Sequence, residues 1–188
     1  MRIIAGSRKG SQIVAPKGHD TRPTQDRVRE SLFNILQGDV PGASVLDLFA
    51  GSGALGLESI SRGAQAAVFV DSARIAIDCL RKNVEKLGFN AQAQILPGEW
   101  HLAIRRLARQ KSQFDLVFLD PPYAMEDTTG MMAALADAGL LSGGALMVVE
   151  HRKGADPAPH PLFTLRDKRC YGDTEISFLD YAGKAEIS

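Results

Sequence analysis

Apolar runs and helical stripes take turns along most of this chain. From residue 44 onward, short runs rich in β-branched and aromatic residues cover 44–49, 66–71, 91–96, 114–120 and 145–150, and each reads as a buried strand. Between them the apolar positions switch to helical spacing. Residues 54–62 form one such segment, closed by Gly63, and 72–87 carry Ile77, Leu80, Val84 and Leu87 before a stop at Gly88. Trp100, Ile104 and Leu107 mark a third helix and 130–138 a fourth. Strands separated by helices predict a mostly parallel, doubly wound α/β sheet with helices on both faces. The tail differs: 162–166 and 175–181 flank Tyr171-Gly172-Asp173, as in an antiparallel hairpin at a sheet edge. Residues 151–161, with Pro157, Pro159 and Pro161, read as a loop.

The first forty residues have another pattern. Two short β-prone runs, 2–5 and 11–15, surround Gly6-Ser7-Arg8-Lys9-Gly10 and predict a hairpin with a basic tip. A Pro/Gly-rich link leads to Thr24, a candidate N-cap, and then to Val28, Leu32, Ile35 and Leu36, the buried stripe of a helix ending at Gly38. The pattern divides the chain into a hairpin and linker over 1–24 and a larger domain over 25–188.

Charge sharpens that division. The net charge of the 188 residues is zero, yet residues 1–29 carry seven basic and two acidic side chains, a local +5 that the rest balances with −5. A basic arm on an acidic body suits a polyanionic partner met by one face, with Arg2, Arg8, Lys9, Arg22, Arg27 and Arg29 as its contacts. Cys79 and Cys170 stand far apart, and the four histidines have no companion at metal-ligand spacing, so no metal is expected. The opening apolar run is too short for a signal segment and no run reaches membrane-spanning length. A cytoplasmic monomer is the expectation.

Two motifs carry chemistry. Asp120-Pro121-Pro122-Tyr123 follows an apolar strand, and ligands of open α/β sheets bind beyond the strands' carboxyl ends. There Asp120 can accept one N–H of a planar exocyclic amine, a Pro-Pro carbonyl the other, and Tyr123 can stack on the ring. A plain Pro-Pro turn facing solvent is the alternative for the tetrapeptide alone. The second motif joins the first strand to its helix: Gly51, Gly53 and Gly56 satisfy G-x-G-x-x-G, and Asp71 ends the next strand where an acid can take ribose hydroxyls. Alone, this loop fits a dinucleotide equally well. Asp47, four residues before Gly51, opposes a pyrophosphate and suits the cationic end of S-adenosylmethionine. Phe49 supports the loop or fills core. Glu58, Arg62 and Arg74 read as solvated helix faces, and Asn83 has no assigned task.

With these motifs, the segments Arg2-Ile3-Ile4-Ala5-Gly6, Thr21-Arg22-Pro23-Thr24, Arg27-Val28-Arg29-Glu30, Ser61-Arg62-Gly63-Ala64 and Tyr171-Gly172-Asp173-Thr174 resemble the RsmD family of bacterial 16S ribosomal RNA guanine-N2 methyltransferases. The resemblance runs over nearly the whole chain. It implies a seven-stranded class I methyltransferase fold with an N-terminal β-hairpin, S-adenosylmethionine as donor, and a guanine of 16S rRNA in the assembling small ribosomal subunit as target. It assigns Asp47, Phe49, Gly51 and Gly53 to the cofactor loop, Asp71 to the ribose, and Asp120, Pro121, Pro122 and Tyr123 to catalysis. The chain departs from the wider pattern after the third strand, where Pro97-Gly98-Glu99-Trp100 leaves the adenine contact to a displaced Glu99, to Trp100, or to neither. A DNA adenine-N6 or cytosine-N4 methyltransferase, an NAD-dependent oxidoreductase and a non-catalytic RNA-binding assembly factor are the competing readings.

Overall fold

The computed structural model describes residues 1–16, 23–122, 125 and 127–183, without the side chains of 23–25. Tyr123 and Arg22 lie outside the described residues. Seven strands form one sheet: β1 (Ser44–Asp47), β2 (Ala66–Asp71), β3 (Ala93–Pro97), β4 (Phe114–Leu119), β5 (Leu141–Arg152), β6 (Phe163–Tyr171) and β7 (Thr174–Tyr181). Their order is β3-β2-β1-β4-β5-β7-β6, parallel through β5, with β7 antiparallel between β5 and β6. The expected class I architecture is therefore present. The helices are α1 (Pro23–Ile35), α2 (Ala54–Ser61), α3 (Arg74–Leu87), α4 (Trp100–Arg109) and α5 (Thr128–Asp137).

Both faces of the sheet are covered, which explains why the strands read as unbroken apolar runs rather than alternating ones. Leu116, Phe118, Leu146, Val148, Ile176 and Phe178 meet α1, α2 and α3 on one side. Leu46, Val117, Leu119, Met147, Val149 and Leu179 meet α4 and α5 on the other.

Several boundaries differ from the sequence expectation for local reasons. Helix α1 begins at Pro23, so Thr24 lies inside its first turn rather than capping it; proline is suited to that opening position because its missing N–H needs no partner there. Strand β5 runs through His151 and Arg152, so the loop expected from 151 starts later. Pairing with β7 matches Glu150 to Ile176, His151 to Glu175 and Arg152 to Thr174, a cross-strand cause that the polar local sequence does not reveal.

The N-terminal run is a small antiparallel bridge, Arg2 to Gln12, with a 3-10 turn at Gly6–Arg8. It is laced onto the domain. Ile3 and Ile13 are buried in the α1/α2/α3 core. Glu58 of α2, fully buried, accepts the N–H of Ile4 at 2.7 Å and of Ala5 at 3.0 Å, and pairs with Arg62 at 2.7 Å. Ser61 Oγ donates to the Ala5 carbonyl (2.6 Å) and accepts the Arg8 N–H (3.0 Å). Arg8 Nε then donates to the Leu87 carbonyl at the end of α3 (2.6 Å), where unsatisfied carbonyls favour a cation. Glu58 is thus no solvated helix residue: a buried carboxylate needs such partners, and the arm's backbone supplies them.

Candidate functional site

Strand order reverses between β1 and β4, the point in an open parallel sheet where the connections diverge and a crevice opens. Asp47 ends β1 there, and Asp120 is the first residue past β4. Asp71 ends β2 next door. The β4–β5 register pairs Leu119 with Val149, so the following residues, Asp120 and Glu150, come side by side at the same edge. Four carboxyl groups from four strands therefore border one crevice.

Their electrostatics follow from burial. Asp47 is 2% exposed and its Oδ2 accepts the Gly56 N–H at 3.2 Å. Burial pushes its carboxyl up to about 7, with the charges of Asp120 and Asp71 adding to the rise. Glu150 is pushed up to about 8, again by burial first and Asp120 second. Such a group of acids gains free energy from a cation and loses it with a pyrophosphate. Glu150 is the site residue that sequence reasoning missed. The available signal was an acidic residue closing an apolar strand, the same signal that marked Asp71.

The glycine loop is built from these acids. Asp71 Oδ2 accepts the Gly51 N–H and Oδ1 the Ala73 N–H, each at 2.8 Å, so its carboxylate also anchors the loop it was expected only to neighbour. Gly51 (φ 54°) and Gly53 (φ 80°) both take the left-handed conformation. A Cβ on Gly51 would meet no atom, which leaves that backbone open to a ligand, whereas one on Gly53 would strike Leu80. Phe49 is half-buried against the α4/α5 side of the core. Glu99 is exposed at the start of α4, beside the Gly98 N–H that bonds to the Asp71 carbonyl at 2.9 Å. Trp100 is half-buried, its ring edge-on to His101 at 5.8 Å.

In the Asp-Pro-Pro segment, Asp120 is exposed, Pro121 buried and Pro122 exposed. The Pro122 carbonyl accepts the Met125 N–H at 2.7 Å. The sequence expectation left open which proline carbonyl faces a substrate; this bond commits one lone pair at Pro122 and favours Pro121 for the task.

The basic residues fall into different groups. Arg2, Lys9 and Arg27 are exposed around a groove of about 430 Å³ between the arm and α1, which Asp26 and Glu30 also line. Arg8 is exposed, but its Nε is tied to Leu87. Arg29 is 5% exposed, bonded to the Arg2 carbonyl and to Asp26. Burial lowers its pKa, with Asp26 and Glu58 opposing that shift. It braces the arm and has no outward face for a phosphate, so it leaves the predicted contact set.

Away from the crevice, β5–β7 pairing gathers His151, Asp156 and Glu175, a trio of ligand-type groups that no spacing in the sequence announced. Lys168 Nζ supplies the cation there, 2.6 Å from Asp156 and 3.1 Å from Glu175. Among the described residues no helix is long and apolar enough to cross a membrane.

Comparison with known proteins matches residues 1–180 to the family described as conserved hypothetical protein 95. Ribosomal RNA small subunit methyltransferase D of Escherichia coli K12 is 39% identical over 80% of this chain and 74% of its own. The structure of a Thermus thermophilus hypothetical protein, TTHA0928, superposes with a TM-score of 0.79 at 31% identity, covering 95% of this chain and 98% of that one. SMU.776, whose crystal structure is described as complexed with SAH, shares the fold alone, at a TM-score of 0.66 and 19% identity over 84% of this chain and 49% of that one.

Proposed function

The chain belongs to the conserved hypothetical protein 95 family, and from that premise we propose that it is an rRNA methyltransferase, carrying a methyl group from S-adenosylmethionine to the exocyclic N2 of a guanine in 16S rRNA. The observation that carries the reading is the meeting of Asp47, Asp71, Asp120 and Glu150 at the switch point of a class I sheet. An acidic crevice fits a sulfonium and an ammonium, and opposes the pyrophosphate of a dinucleotide. The open backbone at Gly51 and the carboxylate of Asp71 fit an adenosine ribose. Asp47 faces the cationic end, with Phe49, Gly53 and Glu99 completing the wall.

When bound, S-adenosylmethionine supplies an electrophilic methyl group. The protein's part is orientation. Guanine N2 is a weak nucleophile because its lone pair is delocalised into the ring. Asp120 accepts one N–H and the Pro121 carbonyl the other, which turns the lone pair out of the ring plane. Pro122 stiffens the segment and Tyr123 stacks on the base, offsetting part of the cost of taking it from its neighbours. Fixing nitrogen in line with the methyl group removes much of the entropic barrier. Asp120, already bonded to that amine, would take the N–H proton that the nitrogen gives up on accepting the methyl group.

Residues 1–24 serve as the RNA-binding arm and 25–188 as the catalytic domain. Arg2, Lys9 and Arg27, with Arg8 and Arg22, hold phosphates of the small-subunit rRNA without reading sequence. The decisive experiment is Asp120→Ala. It should abolish methyl transfer to small-subunit particles while S-adenosylhomocysteine still binds. A folded variant with near-normal turnover would refute the mechanism.

A further inference from the structure

The side chain of Asn83 ties the first sixteen residues to the glycine loop. Asn83, on the buried face of α3 and 0% exposed, has its whole amide engaged. Its Oδ1 accepts the Val14 N–H at 2.7 Å, and its Nδ2 donates to the Val14 carbonyl at 2.8 Å and to the Ser52 carbonyl at 2.9 Å. Ser52 sits between the two left-handed glycines. The peptide joining Ser52 to Gly53 is thereby gripped from both sides, its carbonyl by Asn83 and its N–H by the Ala50 carbonyl at 2.7 Å. A second strap runs from Ser52 Oγ to Met1 Sδ at 3.7 Å.

We infer that Asn83 is a positioning residue for the cofactor loop and that it makes the N-terminal arm part of the cofactor site, so that filling the site and ordering the arm favour each other. This rests on the proposed use of S-adenosylmethionine. A Gly-x-Gly loop has many conformations to lose on binding a ligand, and a fixed Ser52–Gly53 peptide has already lost them. Asn83 can fix that peptide best while Val14 holds the other side of its amide, because a buried amide with an unmet donor or acceptor is unstable in place. Coupling of this kind is reciprocal: what steadies the loop steadies the arm, and the arm carries the RNA-facing cations. The arm and the cofactor site are then one cooperative unit.

Val14 allows a clean test because its side chain is 45% exposed, so changes there cost little packing. Val14→Pro removes the N–H that Asn83 accepts, and Val14→Ala keeps it. Calorimetry with S-adenosylhomocysteine should give Val14→Ala near wild-type affinity and Val14→Pro an affinity about three- to tenfold weaker, the effect of one such hydrogen bond. Equal affinities in all three proteins, or equal losses in both variants, would overturn the inference. Hydrogen exchange on the unaltered protein gives an independent readout should Val14→Pro not fold. The Val14 amide should exchange several-fold more slowly with S-adenosylhomocysteine bound, and an unchanged rate would overturn the coupling. An unaltered protein that binds no S-adenosylhomocysteine at all would instead refute the cofactor reading.

Discussion

Asp47→Asn converts the electrostatics of the site into a stability measurement. The Asp47 carboxyl is held at about 7 against an ordinary 3.8, chiefly by burial. Ionising it in the folded, ligand-free protein therefore costs about 4 kcal/mol more than in the unfolded chain. Because the folded value is raised, the unfolded chain gives up its proton first, and folded stability falls as pH climbs from about 4 to about 7. Above that range the penalty is complete and constant. Asparagine keeps an oxygen for the Gly56 N–H but has no charge to bury. Relative to wild type, the variant should therefore gain about 3 kcal/mol of stability between pH 5 and pH 8. The rise at Glu150 is present in both proteins and largely cancels in the difference. Urea unfolding of both at four pH values across that interval provides the assay. A stability difference that stays flat with pH would refute the assignment of Asp47 as a buried carboxyl forced to ionise at neutral pH. The same variant should bind S-adenosylhomocysteine more weakly above pH 7, where wild type offers a full negative charge to the cofactor's ammonium.

Asp71→Ala should weaken S-adenosylmethionine binding by about 1–3 kcal/mol, since it removes the proposed ribose acceptor and the anchor of the Gly51 N–H; unchanged calorimetric affinity in a folded variant would take Asp71 out of the site. Arg2 and Lys9 changed together to Ala should lower the slope of log affinity for small-subunit particles against log salt by about 0.7 for each phosphate no longer neutralised. Superimposable slopes would mean that the groove beside α1 is not the RNA-binding face. Gly56→Ala should destabilise the fold by about 1–3 kcal/mol, because the added methyl collides with the Phe69 ring where α2 crosses β2; a thermal midpoint equal to wild type would show that this crossing has slack.

Residues whose neighbours in sequence explain them are legible from the chain alone. Asp71 and Asp120 each close an apolar run, and ligands of a parallel sheet bind beyond its strand ends, so the position of both at the crevice can be read from pattern. The glycine spacing after β1 is equally plain. Glu58, Asn83 and Arg29 are not legible, for one shared physical reason. A polar residue on a helix ordinarily faces water, and nothing local reveals that each is buried against a backbone segment distant in the chain. Glu58 finds its partners fifty-four and fifty-three residues away, and Asn83 sixty-nine. The extension of β5 through Arg152 is hidden in the same way, because its cause is the facing strand β7 and not its own side chains. Charge clustering in residues 1–29 singles out the arm as a unit. It cannot separate Arg2, Lys9 and Arg27, which stand at the surface, from Arg29, which holds the arm from beneath.

The central claim is the methylation of one guanine in small-subunit rRNA, and mass mapping of that rRNA tests it most directly. Small-subunit rRNA from cells with the protein, without it, and with Asp120→Ala in its place should be digested and compared nucleotide by nucleotide. The account predicts a single N2-methylguanine present in the first sample and absent from the other two, restored when purified protein and S-adenosylmethionine are added to the unmethylated particles. Identical maps from all three samples, or a missing methyl group on a base other than guanine, would contradict it.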